Sequence, residues 1–197
     1  MIKVEGIEIK RLAEDMSDEE FYRFCQANRD LRIERDRDRK IIILTPVGFE
    51  SGYYENELLG ELRRWNKECG LGVAASSSTG FLLPDGAVRA PDASWISNRR
   101  WHSIPASDKK RFLPLTPDFV AEIRSESDDL PVLQAKMEEY IEQGARLGWL
   151  LDPQEKTAYI YRADGSMEAL QGWDRGLSGE EVLPGFLFDL EGLRLPE

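Results

Sequence analysis

Glu122 and Arg124 stand two residues apart in an otherwise apolar stretch, Phe119-Val-Ala-Glu-Ile123, that reads as a strand. Strand periodicity puts both on one face, roughly 6.5–7 Å apart along the chain. Charges on an interior strand are costly unless they are paired or ligate something. Acidic partners are offered by the Pro-Asp pairs at 84–85, 91–92 and 117–118. Asp85 lies in a Pro-Asp-Gly turn, and turn chemistry accounts for it. Asp118 shares the Glu122 face but sits about 13 Å away along the strand, too far to share one ion. Asp92 falls in a different segment, read as mid-strand within a strand over 87–97, and could lie beside Glu122 if the two strands are neighbours. An Asp and a Glu converging from adjacent strands make a hard, oxygen-rich site suited to Mg²⁺ or Mn²⁺. A nearby cation, Arg124 or Lys136, could then stabilise charge on a phosphate or orient a water. The competing arrangement is structural: Glu122 and Arg124 form a same-face ion pair, Arg124 alternatively pairs with Glu126 or Asp128, and Asp92 caps a turn. Spacing leaves both arrangements open.

The elements that would position these residues follow from patterning. Ser17-Asp-Glu-Glu20 is a capping box, with Phe21, Phe24 and Cys25 as a helical stripe behind it. Residues 1–10 alternate weakly, as an edge strand or loose arm. Two short strands, 31–35 and 40–44, flank the Asp36-Arg37-Asp38 turn; their many charges suggest a solvated edge, with an arginine comb facing DNA as the lesser alternative. Tyr54, Leu58, Leu62, Trp65 and Cys69 fall at helical spacing, Gly70 ends that helix, and Glu55 lies beside the stripe. Strands follow over 71–78 and 79–83, then a short helix and loop over 98–112. After the central strand, 125–129 supplies turn and cap residues. A helix through Leu133, Met137, Tyr140 and Ile141 follows, with Pro131 in its first turn and Lys136 at its core-flanking edge. Leu147–Leu151 reads as a buried strand, 157–162 as a strand pairing back, and 167–172 and 181–182 as short strands, with a packed tail over 186–190. The order implies an α/β domain with a mixed sheet flanked by helices.

The chain has 197 residues and a net charge of −11, which weighs against a nonspecific nucleic-acid binder with a basic face. A basic rim from Arg99, Arg100, Lys109, Lys110 and Arg111 beside Asp92 would restore such a face. The two cysteines, Cys25 and Cys69, are too few for a disulfide framework or cysteine zinc site. No apolar run approaches a membrane span and no signal-peptide core is visible, so a cytoplasmic protein with reduced thiols is expected. His102 is the single histidine. A hydrolase built on His102 and Ser103 lacks the G-x-S-x-G elbow.

Four motifs, in order, resemble the Uma2 family of restriction-endonuclease-like proteins, assigned to the PD-(D/E)XK nuclease fold. They are Arg89-Ala-Pro-Asp-Ala-Ser-Trp95, Pro117-Asp-Phe-Val-Ala-Glu-Ile-Arg-Ser-Glu-Ser-Asp128, Leu133-Gln-Ala-Lys-Met-Glu-Glu-Tyr140 and Gly148-Trp-Leu-Leu-Asp-Pro153. The resemblance runs from about Pro46 to Leu190. It implies a single restriction-endonuclease-like domain over 1–197, with 1–45 as an N-terminal helix and hairpin extension. It also implies Asp92 and Glu122 as metal ligands and Lys136 as the catalytic cation, moved from the usual position two residues after the acid, which Arg124 occupies. Glu55 matches a helix position that supplies an outer or third ligand. Arg124, which hardly deprotonates, is left a supporting role. The sequence departs from its relatives at Glu126, where they carry proline.

The function implied is a Mg²⁺- or Mn²⁺-dependent endonuclease cutting phosphodiester bonds of nucleic acid, DNA first. The alternative is a catalytically silent member serving as a nucleic-acid-binding or protein-interaction module. Analogy with such folds suggests a homodimer.

Overall fold

A capping box opens the described chain: Ser17 Oγ accepts the Glu20 N–H and the Glu20 carboxylate accepts the Ser17 N–H. The computed structural model describes residues 16–195, so the alternation over 1–10 lies outside the described residues. In chain order the elements begin with α1 (Asp18–Ala27), β1 (Arg32–Arg35), β2 (Ile41–Leu44), α2 (Phe49–Cys69), β3 (Gly72–Ser76), β4 (Phe81–Leu82) and β5 (Val88–Arg89). They continue with β6 (Ala93–Ser97), α3 (Asn98–Ser103), β7 (Phe119–Ile123), α4 (Leu130–Glu142), β8 (Leu147–Asp152) and β9 (Thr157–Arg162), ending with β10 (Met167–Gln171), β11 (Gly176–Ser178) and β12 (Leu187–Asp189). The residues fall into two units: one formed by the described residues up to Pro46 with Ser78–Ala90 and Pro105–Leu115, the other by the remainder.

The first unit carries a four-stranded sheet in the order β2-β1-β5-β4. Its hairpin is a solvated edge in part: β2 is the edge strand and Arg37, Asp38 and Lys40 are exposed, but two of the β1 charges are not. Glu34 and Arg35 are buried. Arg35 donates to Asp18 and to the Gly86 carbonyl, and its guanidinium stacks over the Phe21 ring. Arg39 turns back to the Met16 carbonyl, and Glu34 accepts from Arg89 at 3.3 Å. Pairing these charges is what lets them leave water. The Pro84-Asp85-Gly86 turn is as expected: Asp85 accepts the Ala87 N–H at 2.9 Å, and Gly86 takes φ 90°.

The second unit holds a six-stranded mixed sheet, β10-β9-β8-β7-β6-β3, and the two-stranded β11-β12. Its strands pair antiparallel except β7 with β8, which run parallel and are joined by the crossover helix α4. Leu58 and Leu62 of α2, fully buried, pack with Ala93, Trp95, Phe119, Ala121, Ile123 and Trp149 on one face. Each such leucine contributes roughly 1.5–3 kcal/mol. Helix α4 covers the opposite face: Gly148 lets it approach so closely that a Cβ there would lie 2.6 Å from Met137 Cε. Gly70 ends α2 at φ 65°, where the left-handed conformation favours glycine.

Two strand assignments need correction. The strand expected over 87–97 is broken into β5 and β6, which belong to different sheets, so Asp92 precedes a strand rather than lying within one. Pro91, with no N–H to give a ladder, marks the break. No strand forms at Glu181-Val182; β11 pairs with β12 instead. Between those strands Leu183 N–H bonds Gly179 O at 2.8 Å, and a Cβ at Gly179 would meet that same leucine's carbonyl at 2.6 Å. That tight turn, followed by Pro184, leaves no extended run.

Candidate active site

Ladder register brings the acids together. Ala93 of β6 pairs with Ser76 of β3 on one side and Ala121 of β7 on the other. Continuing each ladder by one residue sets Ser77, Asp92 and Glu122 in a row across the three chain segments, all within the second unit. Asp92 Oδ2 accepts the Ile123 N–H at 2.8 Å, taking the place of a ladder partner.

Glu122 faces α4, where Lys136 and Tyr140, one helical turn apart, reach the same oxygen. Lys136 Nζ lies 2.8 Å from Glu122 Oε1, and the Tyr140 hydroxyl donates to it at 3.0 Å. The pair is nearly dry, with side chains 13% and 6% exposed for Lys136 and Glu122. From α2, on the other face, Glu55 accepts a hydrogen bond from the Ser77 hydroxyl.

Burial pushes the Asp92 carboxyl well above the ordinary carboxylate value, and the neighbouring Glu122 charge adds to the push. The Ile123 N–H and Lys136 oppose the rise, while Glu55 adds to it. Two carboxylates that resist joint ionisation are an arrangement that a bound cation relieves. Asp92 and Glu122 are therefore the residues that could hold Mg²⁺ or Mn²⁺. Hard oxygen donors suit those ions, and Mg²⁺ commonly takes one or two carboxylates with water and phosphate completing its sphere. Among the described residues no three His, Cys, Asp or Glu side chains are grouped to hold a metal ion. Glu55 stands with Ser77, not in a three-carboxylate cage.

Arg124 is placed elsewhere. It follows β7, where Nη1 lies 2.8 Å from Asp152 Oδ2 and Nε donates to the Asp128 carbonyl at 3.2 Å. Asp152 is fully buried. Asp118 serves the far end of β7, accepting the Ser97 N–H at 2.8 Å and pairing with Arg100 at 3.3 Å. The basic run divides: Arg99 and Arg100 belong to α3, while Lys109, Lys110 and Arg111 belong to the first unit, with Arg111 paired to Glu19. His102 is exposed, and Ser103 Oγ donates to the Arg100 carbonyl at 2.7 Å. Nothing there resembles a hydrolase triad.

Two participants, Tyr140 and Ser77, escaped the sequence reading. Tyr140 was visible as the residue one turn after Lys136, yet it read as core. Ser77 carried no signal within Ser76-Ser77-Ser78.

A profile of the Uma2 family, described as "Putative restriction endonuclease", matches residues 18–191. The chain belongs to the Uma2 family. All of Glu55, Asp92, Glu122, Arg124 and Lys136 fall inside the matched Uma2 region. A crystal structure described as a "putative nuclease belonging to DUF820", from Anabaena variabilis ATCC 29413, is similar at TM-score 0.70 and 19% identity, over 82% of this chain and 88% of that chain. That likeness supports the fold, an α/β restriction-endonuclease-like arrangement with a mixed central sheet flanked by helices. No curated protein matches the chain. Among the described residues no helix is long and apolar enough to cross a membrane.

Proposed function

We propose that this Uma2 protein is a metal-dependent endonuclease that hydrolyses phosphodiester bonds of nucleic acid, DNA before RNA. The observation that carries the reading is the convergence of Asp92 and Glu122, at the ends of two adjacent strands, with Lys136 from the middle of one helix. Asp92 and Glu122 would hold Mg²⁺ or Mn²⁺. When bound, the cation would supply an activated water and neutralise charge on the scissile phosphate. The chain's own residues do the rest. The Ile123 N–H fixes the Asp92 carboxylate, and Tyr140 fixes that of Glu122. Lys136 carries a positive charge into a nearly dry site, where it can stabilise charge developing on the phosphate oxygens. Arg124 anchors the loop after β7 through Asp152 and Asp128.

The test is cleavage of plasmid DNA and of RNA by purified protein with Mg²⁺ or Mn²⁺, beside Asp92→Asn, Glu122→Gln and Lys136→Met. Metal-dependent cutting that falls at least about 100-fold in each variant supports the reading. No cutting of either nucleic acid, with metal binding unchanged in Asp92→Ala, refutes it. The silent-module reading rests on one observation, that Glu122 Oε1 is already engaged by Lys136 and Tyr140. It expects nucleic-acid or protein binding without cleavage.

A further inference from the structure

Helix α2 carries a cationic stripe in a protein whose net charge is −11. At about 100° per residue, Arg63, Arg64 and Lys67 span an arc of roughly 100° around Gly60, with Asn56 inside it. Glu57, Glu61 and Glu68 cluster on one flank of that arc; Leu59 and Glu55 lie on the other. Leu59 separates the stripe from Glu55, which lies about 80° beyond Arg63, and the acids begin about 20° beyond Arg64. Arg63, Arg64 and Lys67 are exposed. Arg64 pairs with Glu61, whereas Arg63 and Lys67 have no carboxylate partner among the described residues. Gly60 contributes no side chain, and a Cβ there would meet nothing. Arg63, Arg64 and Lys67, with Asn56, Leu59 and Glu68, line an open depression of about 480 Å³ around it. An exposed glycine in mid-helix costs roughly 1 kcal/mol relative to alanine, and this one keeps the floor of the depression at backbone level.

We infer that this stripe is a track for the phosphate backbone of the nucleic acid cut at the Asp92–Glu122 site. The inference rests on the function proposed above. Arg63 and Lys67 lie about 12 and 18 Å along the helix from Glu55. A strand leaving the carboxylates past Glu55 would meet them in turn. Arginines and a lysine grouped around a shallow floor suit phosphates, and their contacts carry position rather than sequence information. The overall acidic charge repels nucleic acid elsewhere, so the stripe also sets the direction of approach.

The experiment measures binding of a mixed-sequence DNA duplex by fluorescence anisotropy between 50 and 200 mM salt, with Ca²⁺ in place of Mg²⁺. It compares wild type, Arg63→Gln/Arg64→Gln/Lys67→Gln, and the acid-flank variant Glu57→Gln/Glu68→Gln. Losing three phosphate contacts lowers the salt slope by about 2.7, so wild type should lose roughly 40-fold more affinity across that range than the triple variant. The acid-flank variant should keep the wild-type slope, and circular dichroism confirms that each variant folds. A triple variant with wild-type affinity and slope overturns the inference. So does a triple variant that binds DNA normally but turns a dimer into a monomer, which assigns the stripe to contact between copies. Wild type that binds with this slope yet cuts nothing supports the track and overturns only the catalytic reading. Wild type that binds no DNA overturns the track, and the catalytic reading falls with it only if the protein also cuts neither DNA nor RNA.

Discussion

Replacing Lys136 with methionine removes a charge but keeps most of a helix residue's volume. In the native site Glu122 then stays buried with its Tyr140 hydrogen bond and without the ammonium that sits 2.8 Å away. With side chains 13% and 6% exposed, solvent screens this pair little. Removing one partner of a buried pair costs about 3–5 kcal/mol, because the remaining charge keeps its desolvation penalty. Taking about 3 kcal/mol, and roughly 2–4 °C per kcal/mol for a chain this long, the melting temperature should fall by about 6–12 °C. Urea unfolding followed by tryptophan fluorescence should report the same loss, since Trp95, Trp149 and Trp173 are all buried in the second unit's core. The double variant Lys136→Met/Glu122→Gln should recover a large part of it, because no unpaired charge remains. Magnesium gives a separate readout. If Asp92 and Glu122 bind the ion, it supplies the missing positive charge and raises the variant's stability more than the wild type's. A variant that melts within 2 °C of wild type refutes the claim that Lys136 balances Glu122. A destabilised variant that Mg²⁺ and Mn²⁺ leave unmoved refutes the metal assignment while leaving the ion pair standing.

Three other outcomes follow from the same geometry. The folded-state pKa of Asp92 lies above its unfolded value, so the native state holds that proton more tightly. Its stabilisation is present below the ordinary carboxylate range and lost as pH rises through the raised value. In metal-free buffer, denaturation against pH should show that decline in wild type and a flatter curve in Asp92→Asn; equal slopes count against the assignment. Tyr140→Phe removes a hydrogen bond to a charged oxygen and should cost about 1.5–3 kcal/mol in urea unfolding, with cleavage weakened but still metal-dependent; unchanged stability would show that the contact holds nothing. Arg124→Lys cannot reach Asp152 and the Asp128 carbonyl together, so it should lower thermal stability more than DNA affinity. The reverse pattern would return Arg124 to a phosphate-binding role.

Much of the fold is legible in the sequence, for reasons that can be named. Capping boxes, glycine stops and apolar periodicity are local physics, so α1, α2, α4 and β7 to β9 followed from residues a few positions apart. The choice of Asp92 over Asp85 and Asp118 also came from local geometry, one excluded by its turn and the other by its distance along a strand. Pairing across elements was less accessible. Glu122 and Arg124 share a strand face by period, yet Arg124 lies past the last ladder pair and its partner is Asp152 on β8. The hairpin charges looked solvated because their partners, Asp18 and Arg89, are remote in sequence. Ser77 could not be singled out because its role comes from register, which no isolated strand declares.

The break at Pro91 explains why the Asp92 carboxylate reaches the Ile123 N–H beside Glu122. Had 87–97 been one continuous strand, residue 92 would have given both backbone groups to a ladder, with its side chain directed by the pleat. The chain instead leaves one sheet after β5 and enters another at β6, and Pro91 cannot donate to either. Asp92 is thereby the first residue outside the β6 ladder. Its carboxylate folds back to accept the Ile123 N–H, tying the new strand's start to the end of β7. The same hydrogen bond fixes the acid beside Glu122 and opposes the pKa rise that burial imposes. Substituting alanine at Pro91 should therefore act first on position: a continuous strand would carry Asp92 into the ladder and away from Glu122. Cleavage and metal binding should then fall together while the fold survives, and amide exchange at Ile123 should quicken as its hydrogen bond to Asp92 is lost; exchange and cleavage both unchanged would refute the role given to Pro91.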